Sequence, residues 1–132
     1  MVIDTNVFVS SFFGGKPRSI IDLWRDQKIT LCLSEAVLTE YKDVLARLGL
    51  AGEPEFDELK ALFKSGFNLV FAAKTPHLAI SGLDPGDLKF IECAVALDAE
   101  AIITGDKRFL EVAAYQGIRI VSPGKFLAAN PL

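Results

Sequence analysis

The chain has 132 residues, which fits one domain over 1–132, and 51% of them are hydrophobic, enough for a filled core. No apolar run reaches the roughly 18 residues of a membrane span and no secretory signal opens the chain, so the expectation is a cytoplasmic protein away from membranes. The net charge of −3 does not announce nucleic acid, and two cysteines beside one histidine exclude a structural zinc site.

Residues 1–4 predict a short buried strand that Asp4 stops. Residues 6–13 predict a helix capped by Thr5 or Asn6. Gly14-Gly15-Lys16-Pro17 is a turn. Pro17 then starts a helix through residue 26, with Ile20, Ile21, Leu23 and Trp24 on its apolar face. Residues 29–33 predict a second buried strand. Ser34 opens the clearest helix, where Val37, Leu38, Tyr41, Val44, Leu45 and Leu48 recur at helical spacing before Gly49. Pro54 opens another helix to about residue 66, and residues 68–72 predict a third strand. After a turn-rich stretch over 73–86 come a helix from Asp87 to about Asp98, a strand at 101–103, a helix at 107–115 and a strand at 118–121. A short terminal helix follows around 122–127. Strands alternating with helices imply an α/β fold with a parallel sheet.

Cys32 and Cys93 both lie in apolar runs and predict buried thiols in a reducing compartment. Phe12 and Phe13 are assigned to core packing, with a dimer face or a contact with a partner protein as the other use of such aromatics.

Four acids stand out. Asp4 ends the first apolar run and precedes Thr5-Asn6. Glu40 lies on the helix after Ser34. Asp87 precedes Phe90-Ile91-Glu92-Cys93-Ala94. Asp106 follows Ile102-Ile103-Thr104-Gly105. Each has a plainer reading as a cap, a turn residue or a solvated acid. Charge directly after a buried strand is costly unless a cation meets it. Ligands of open α/β sheets bind beyond the carboxyl ends of the strands. Together the acids point to a divalent metal such as Mg²⁺ or Mn²⁺, which takes hard oxygen ligands. Asp84 reads as a turn residue, Glu92 as either an acid that supports the site from behind or an ordinary one, and the lone His77 sits in a loop. No Ser-His-Asp or Cys-His set and no Gly-rich phosphate loop is present, which disfavours nucleophilic hydrolases and P-loop enzymes. A phosphatase with Asp4 as nucleophile lacks the Asp-x-Asp spacing of the haloacid-dehalogenase-like enzymes, because position 6 is Asn.

The combination resembles a PIN domain. It is carried by Asp4-Thr5-Asn6, Glu40, the run Asp84-Pro85-Gly86-Asp87-Leu88-Lys89-Phe90-Ile91-Glu92-Cys93-Ala94, Thr104-Gly105-Asp106-Lys107 and the closing Gly117-Ile118-Arg119-Ile120-Val121-Ser122-Pro123. The likeness is to the prokaryotic VapC-like toxin components of toxin–antitoxin systems. It implies a three-layer α/β/α sandwich around a parallel sheet of about five strands. It implies metal-dependent cleavage of RNA by a ribonuclease held in check by an antitoxin protein, with a homodimer as the expected assembly. By motif, the acidic quartet falls on Asp4, Glu40, Asp87 and Asp106, as catalytic residues and as ligands of Mg²⁺ or Mn²⁺. Thr5, Asn6, Thr104, Lys107 and Arg108 fall around them, toward substrate. Lys16, Arg18 and Lys89 are further candidates for phosphate contacts. The chain departs from the pattern at Arg108, where many relatives carry another acid, and at Leu88, where close relatives often have Asn. A member of the fold that binds RNA or a partner without cutting is the alternative.

Overall fold

Strand β1 (Val2–Ile3) is completely buried, and so is β4 (Ala101–Ile103) beside it. Both are short β-branched or alanine runs that have no solvent face, as parallel strands covered on both sides require. The computed structural model describes residues 1–129. In chain order β1 is followed by α1 (Thr5–Ser10) with a 3₁₀ turn at Ser11–Phe13, α2 (Gly15–Arg25), β2 (Leu31–Ser34), α3 (Glu35–Arg47), α4 (Pro54–Ser65) and β3 (Leu69–Ala72). A 3₁₀ turn at Pro85–Asp87 leads into α5 (Leu88–Leu97), then β4, α6 (Lys107–Leu110), β5 (Ala114–Tyr115), β6 (Ile118–Val121) and α7 (Pro123–Ala129).

The five predicted strands all form, but they divide between two sheets. One sheet has four strands in the order β1-β4-β6-β5, with β5 antiparallel to β6 and the other pairings parallel. The other is the parallel pair β2-β3. A backbone bond from Cys32 N to Met1 O, 2.8 Å long, links the two at the start of β1.

The sixth strand is the main departure from expectation. Residues 107–115 do not make one helix. The helix stops at Leu110, Ala113 takes a left-handed φ of 64°, and Ala114–Tyr115 returns as β5 against β6. An apolar run this short satisfies either period, and the turn at Gln116-Gly117 (φ 49° and 85°) favours the hairpin.

The core gathers Phe8, Trp24, Tyr41, Phe90, Phe109 and Phe126 with the aliphatic strands. Phe8 and Tyr41 stack at 4.2 Å with ring planes 8° apart, which docks α1 on α3. The Tyr41 hydroxyl donates to the carbonyl of Ile3, tying α3 to the end of β1. Ser34 caps α3, its hydroxyl accepting from Val37 N. Cys32 and Cys93 are buried free thiols, and burial pushes Cys93 up to about 12, which keeps it an unreactive thiol. Phe12 packs against the core, whereas Phe13 does not: it is 75% exposed, because the chain turns at Gly14 before its ring can fold inward. No helix among the described residues is long and apolar enough to cross a membrane.

Candidate active site

The register of the sheet creates the site. Ile3 pairs with Ile103 and Ile103 pairs with Val121, so the next residues, Asp4 and Thr104, emerge side by side at the carboxyl edge. Asp4 N continues the ladder to Ile103 O at 2.9 Å, and Thr104 N continues it to Val121 O at 2.9 Å. Both side chains are buried. The Thr104 hydroxyl donates to Asp4 Oδ2 at 2.5 Å and accepts from Asp106 N at 3.1 Å. One hydroxyl therefore joins the two strand-end aspartates. Asp106 caps α6, with its Oδ1 accepting from Arg108 N at 2.9 Å.

Two helices supply the facing wall. Glu40 projects from α3, and its Oε2 accepts from the Thr5 hydroxyl. Its Oε1 pairs with the Lys89 ammonium at 2.5 Å. Asp87 sits at the entry to α5, placed by the tight turn that Asp84 closes by accepting from Gly86 N at 2.8 Å. Glu92 faces elsewhere: its Oε2 accepts from Leu78 N and pins the long loop before α5 to that helix.

Asp4, Glu40, Asp87 and Asp106 thus line one cleft of about 240 Å³, with Thr5, Asn6 and Asp84 between them. A larger hollow of about 370 Å³ lies at the opposite end of the strands, beside Met1, Thr30 and Glu100. The smaller cleft is the candidate site, because it stands at the carboxyl ends of β1 and β4, where open α/β sheets place ligands.

The electrostatics follow from crowding. Burial raises the Asp4 carboxyl above its ordinary range, opposed by the Thr104 hydroxyl and the Asn6 backbone, and raised again by Glu40 and Asp106. Asp87 is pushed up to about 6, first by burial and then by Asp4, Asp106, Asp84 and Glu40. A divalent cation would relieve this repulsion, and the donor set is all hard oxygen, which fits Mg²⁺ or Mn²⁺. Among the described residues, no three His, Cys, Asp or Glu side chains are gathered closely enough to grip an ion as they stand. The donor chemistry fits a metal, while Asp4 and Asp106 are held by hydrogen bonds and Glu40 by Thr5 and Lys89.

Other expected contacts lie elsewhere. Lys107 and Arg108 are exposed and do not line the cleft. Arg18 is structural: its guanidinium donates to Ser11 O at 2.6 Å and pairs with Glu55 at 2.6 Å. Lys16 packs beside Gly124, against α7. His77 is exposed on its loop. Asp84 is the cleft acid that sequence reasoning set aside as a turn residue. The signal was its place beside Pro85-Gly86-Asp87, since a turn that aims one acid brings the other along.

The domain is thus an α/β fold that gathers five carboxylates in one cleft beyond the carboxyl ends of β1 and β4. The family model described as PIN domain matches residues 1–108, which cover both walls of the cleft, and the chain belongs to the PIN domain family. PIN domains are generally nucleases and usually use divalent metals, which supports a nuclease-type hydrolase acting on nucleic acid. No curated protein and no solved structure matches the chain.

Proposed function

We propose that this chain is a metal-dependent ribonuclease, the toxin of a toxin–antitoxin pair, working in the cytoplasm of a prokaryote as one PIN-like domain over residues 1–132. The observation that carries it is the convergence of Asp4, Glu40, Asp87 and Asp106 on one cleft at the carboxyl ends of β1 and β4. In this proposal the link from Met1 to Cys32 draws the two sheets into one layer of about five parallel strands between helices. The exposed Phe13 is available to a second copy of the chain or to an antitoxin protein.

Asp4, Asp87 and Asp106 would hold Mg²⁺ or Mn²⁺, with Glu40 directly or through water. When bound, such an ion acidifies water and neutralises charge on the scissile phosphate. The protein's own part is to aim and to hold. Thr104 fixes the rotamer of Asp4 and the backbone of Asp106 with one hydroxyl. Thr5 fixes Glu40, and Asn6 lies exposed on the substrate side. No side-chain nucleophile is required, and the one hydroxyl lining the cleft, that of Thr5, is spent on Glu40. Lys107 and Arg108 flank Asp106 at the rim, where phosphates further along an RNA strand would pass.

One observation favours the second reading, a member of the fold that binds RNA or protein without cutting. The carboxylates are not gathered around an ion, and Lys89 stands against Glu40. Purified protein, free of antitoxin, is incubated with a mixed RNA pool in Mg²⁺, Mn²⁺ or EDTA, beside Asp4→Asn. Cutting that requires metal and disappears in Asp4→Asn is expected. Absence of cutting by folded protein that binds Mn²⁺ would transfer the conclusion to the non-cutting member.

A further inference from the structure

Glu40 has both carboxylate oxygens engaged. Thr5 donates to Oε2 and Lys89 holds Oε1. The pair is mostly buried, with the lysine side chain 25% and the glutamate 28% exposed. An ion reaching Glu40 directly would have to displace one of these partners.

Lys89 is in an unfavourable place for an ordinary surface lysine. It is the second residue of α5, where the helix dipole presents its positive end. Its ammonium is drawn inward, away from full hydration. Glu40 compensates that cost, but a solvated lysine at this position would need no compensation. Among the described residues, Lys89 is the only lysine or arginine in an ion pair with a carboxylate that lines the cleft. Lys89 does not itself line the cleft but reaches its edge through Glu40 Oε1; Asp4, Asp84, Asp87 and Asp106 line the cleft with Glu40, and a phosphodiester would add another negative charge there. An ammonium has three protons, and Glu40 Oε1 takes one. The compact, hydrated charge of lysine suits a phosphate oxygen.

We propose that Lys89 is the phosphate contact of this cleft and that Glu40 is the residue that positions it, rather than a direct metal ligand. For its substrate the proposal rests on the ribonuclease reading above. Glu40 then orients two groups at once, the Thr5 hydroxyl and the Lys89 ammonium, and the metal falls to the three aspartates.

The test separates metal from RNA. Mn²⁺ is titrated by calorimetry into wild type, Glu40→Gln, Lys89→Met and Asp87→Asn without RNA. The first two variants are expected to keep Mn²⁺ affinity within about threefold of wild type, and Asp87→Asn to lose about tenfold or more. Fluorescent single-stranded RNA is then bound in EDTA, where nothing is cut, across a range of salt. Lys89→Met is expected to lower the slope of log affinity against log salt by about 0.7, the loss of one phosphate contact. Lys89→Arg is expected to keep the slope. The Glu40→Gln, Lys89→Met double variant is expected to bind no worse than Lys89→Met alone, because the two act as one unit. If Lys89→Met does not fold, Lys89→Gln gives the same reading. An unchanged slope in Lys89→Met would overturn the proposal, and so would a Glu40→Gln loss of Mn²⁺ affinity equal to that of Asp87→Asn. Neither arm depends on cleavage, so failure of the wild type to cut RNA would count against the nuclease alone.

Discussion

The two walls of the cleft are built on different physics. The strand wall, Asp4 with Thr104 and Asp106, is set by sheet register and closed by a single hydroxyl. The helix wall, Glu40 with Asp87 and Lys89, comes from α3 and the start of α5 and is closed by a mostly buried ion pair. Hydrogen bonds in a buried ladder tolerate little displacement, whereas a lysine on a four-carbon stem can move by ångströms at small cost. The strand wall is therefore a fixed frame, and the helix wall is where the site adjusts to what it binds.

Asp4→Asn should break this comparison most severely. It keeps the shape and the Thr104 bond but removes the buried charge, so RNA cleavage should fall by about a hundredfold or more. The same variant should melt at a higher temperature than wild type in EDTA, since burial opposes the charged form. Assays of cleavage and thermal unfolding on one preparation check both halves of that expectation.

Thr104→Val should come next. It strands an Asp4 oxygen and the Asp106 amide, and should cost about 1–3 kcal/mol in a denaturant titration. It also removes the bond that lowers the Asp4 carboxyl, so the acid limb of any cleavage profile should move to higher pH. A limb that stays in place would show that Asp4 does not control it.

A pH series sharpens the helix wall. The Asp87 carboxyl rises from 3.8 to about 6 in the folded protein, so the folded state binds its proton more tightly than the unfolded chain does. Metal-free protein should therefore lose stability as pH rises from about 4 to about 6 and then level off. Saturating Mn²⁺ should flatten or reverse this trend. Thermal unfolding in EDTA at closely spaced pH values is the measurement, and Asp87→Asn should reduce the slope and leave the part that the raised Asp4 carboxyl contributes.

The smallest effect is expected at the rim. Arg108→Ala should change stability by no more than about 0.5 kcal/mol, because the side chain is exposed and Asp106 accepts from the Arg108 backbone amide rather than from its guanidinium. Any larger loss in chemical denaturation would place Arg108 in the frame.

The strand wall was more legible in the sequence than the helix wall. Asp4 and Asp106 each follow an apolar run, and a charge at that point demands an explanation from the sequence alone. Thr104 was legible as a companion residue, but its bridging of both acids depends on the pairing of Ile3 with Ile103, which no local pattern reveals. Glu40 was less distinct because one helical glutamate resembles another. Its partner Lys89 lies 49 positions away, and only the packing of α3 against α5 unites them. The errors were of a different kind. The stretch 107–115 is too short for helical and strand periods to separate, and the hairpin through Gln116-Gly117 decided it. Hydrophobicity alone places Phe13 inward, yet its direction is set by the turn at Gly14.

Far from the cleft, Asn68 gathers four residues with one side chain and one carbonyl. Its amide nitrogen donates to Trp24 O and Ile29 O, its side-chain oxygen accepts from Thr30, and its carbonyl accepts from the Trp24 indole and Leu31 N. The contact with Thr30 closes a loop of 38 positions that contains all of α3 and α4. Closing such a loop costs chain entropy, and the two helices inside can form locally before it shuts. Asn68 is the clasp on that loop: it sets Leu31 against the start of β3, and so fixes the strand from which the helix bearing Glu40 departs.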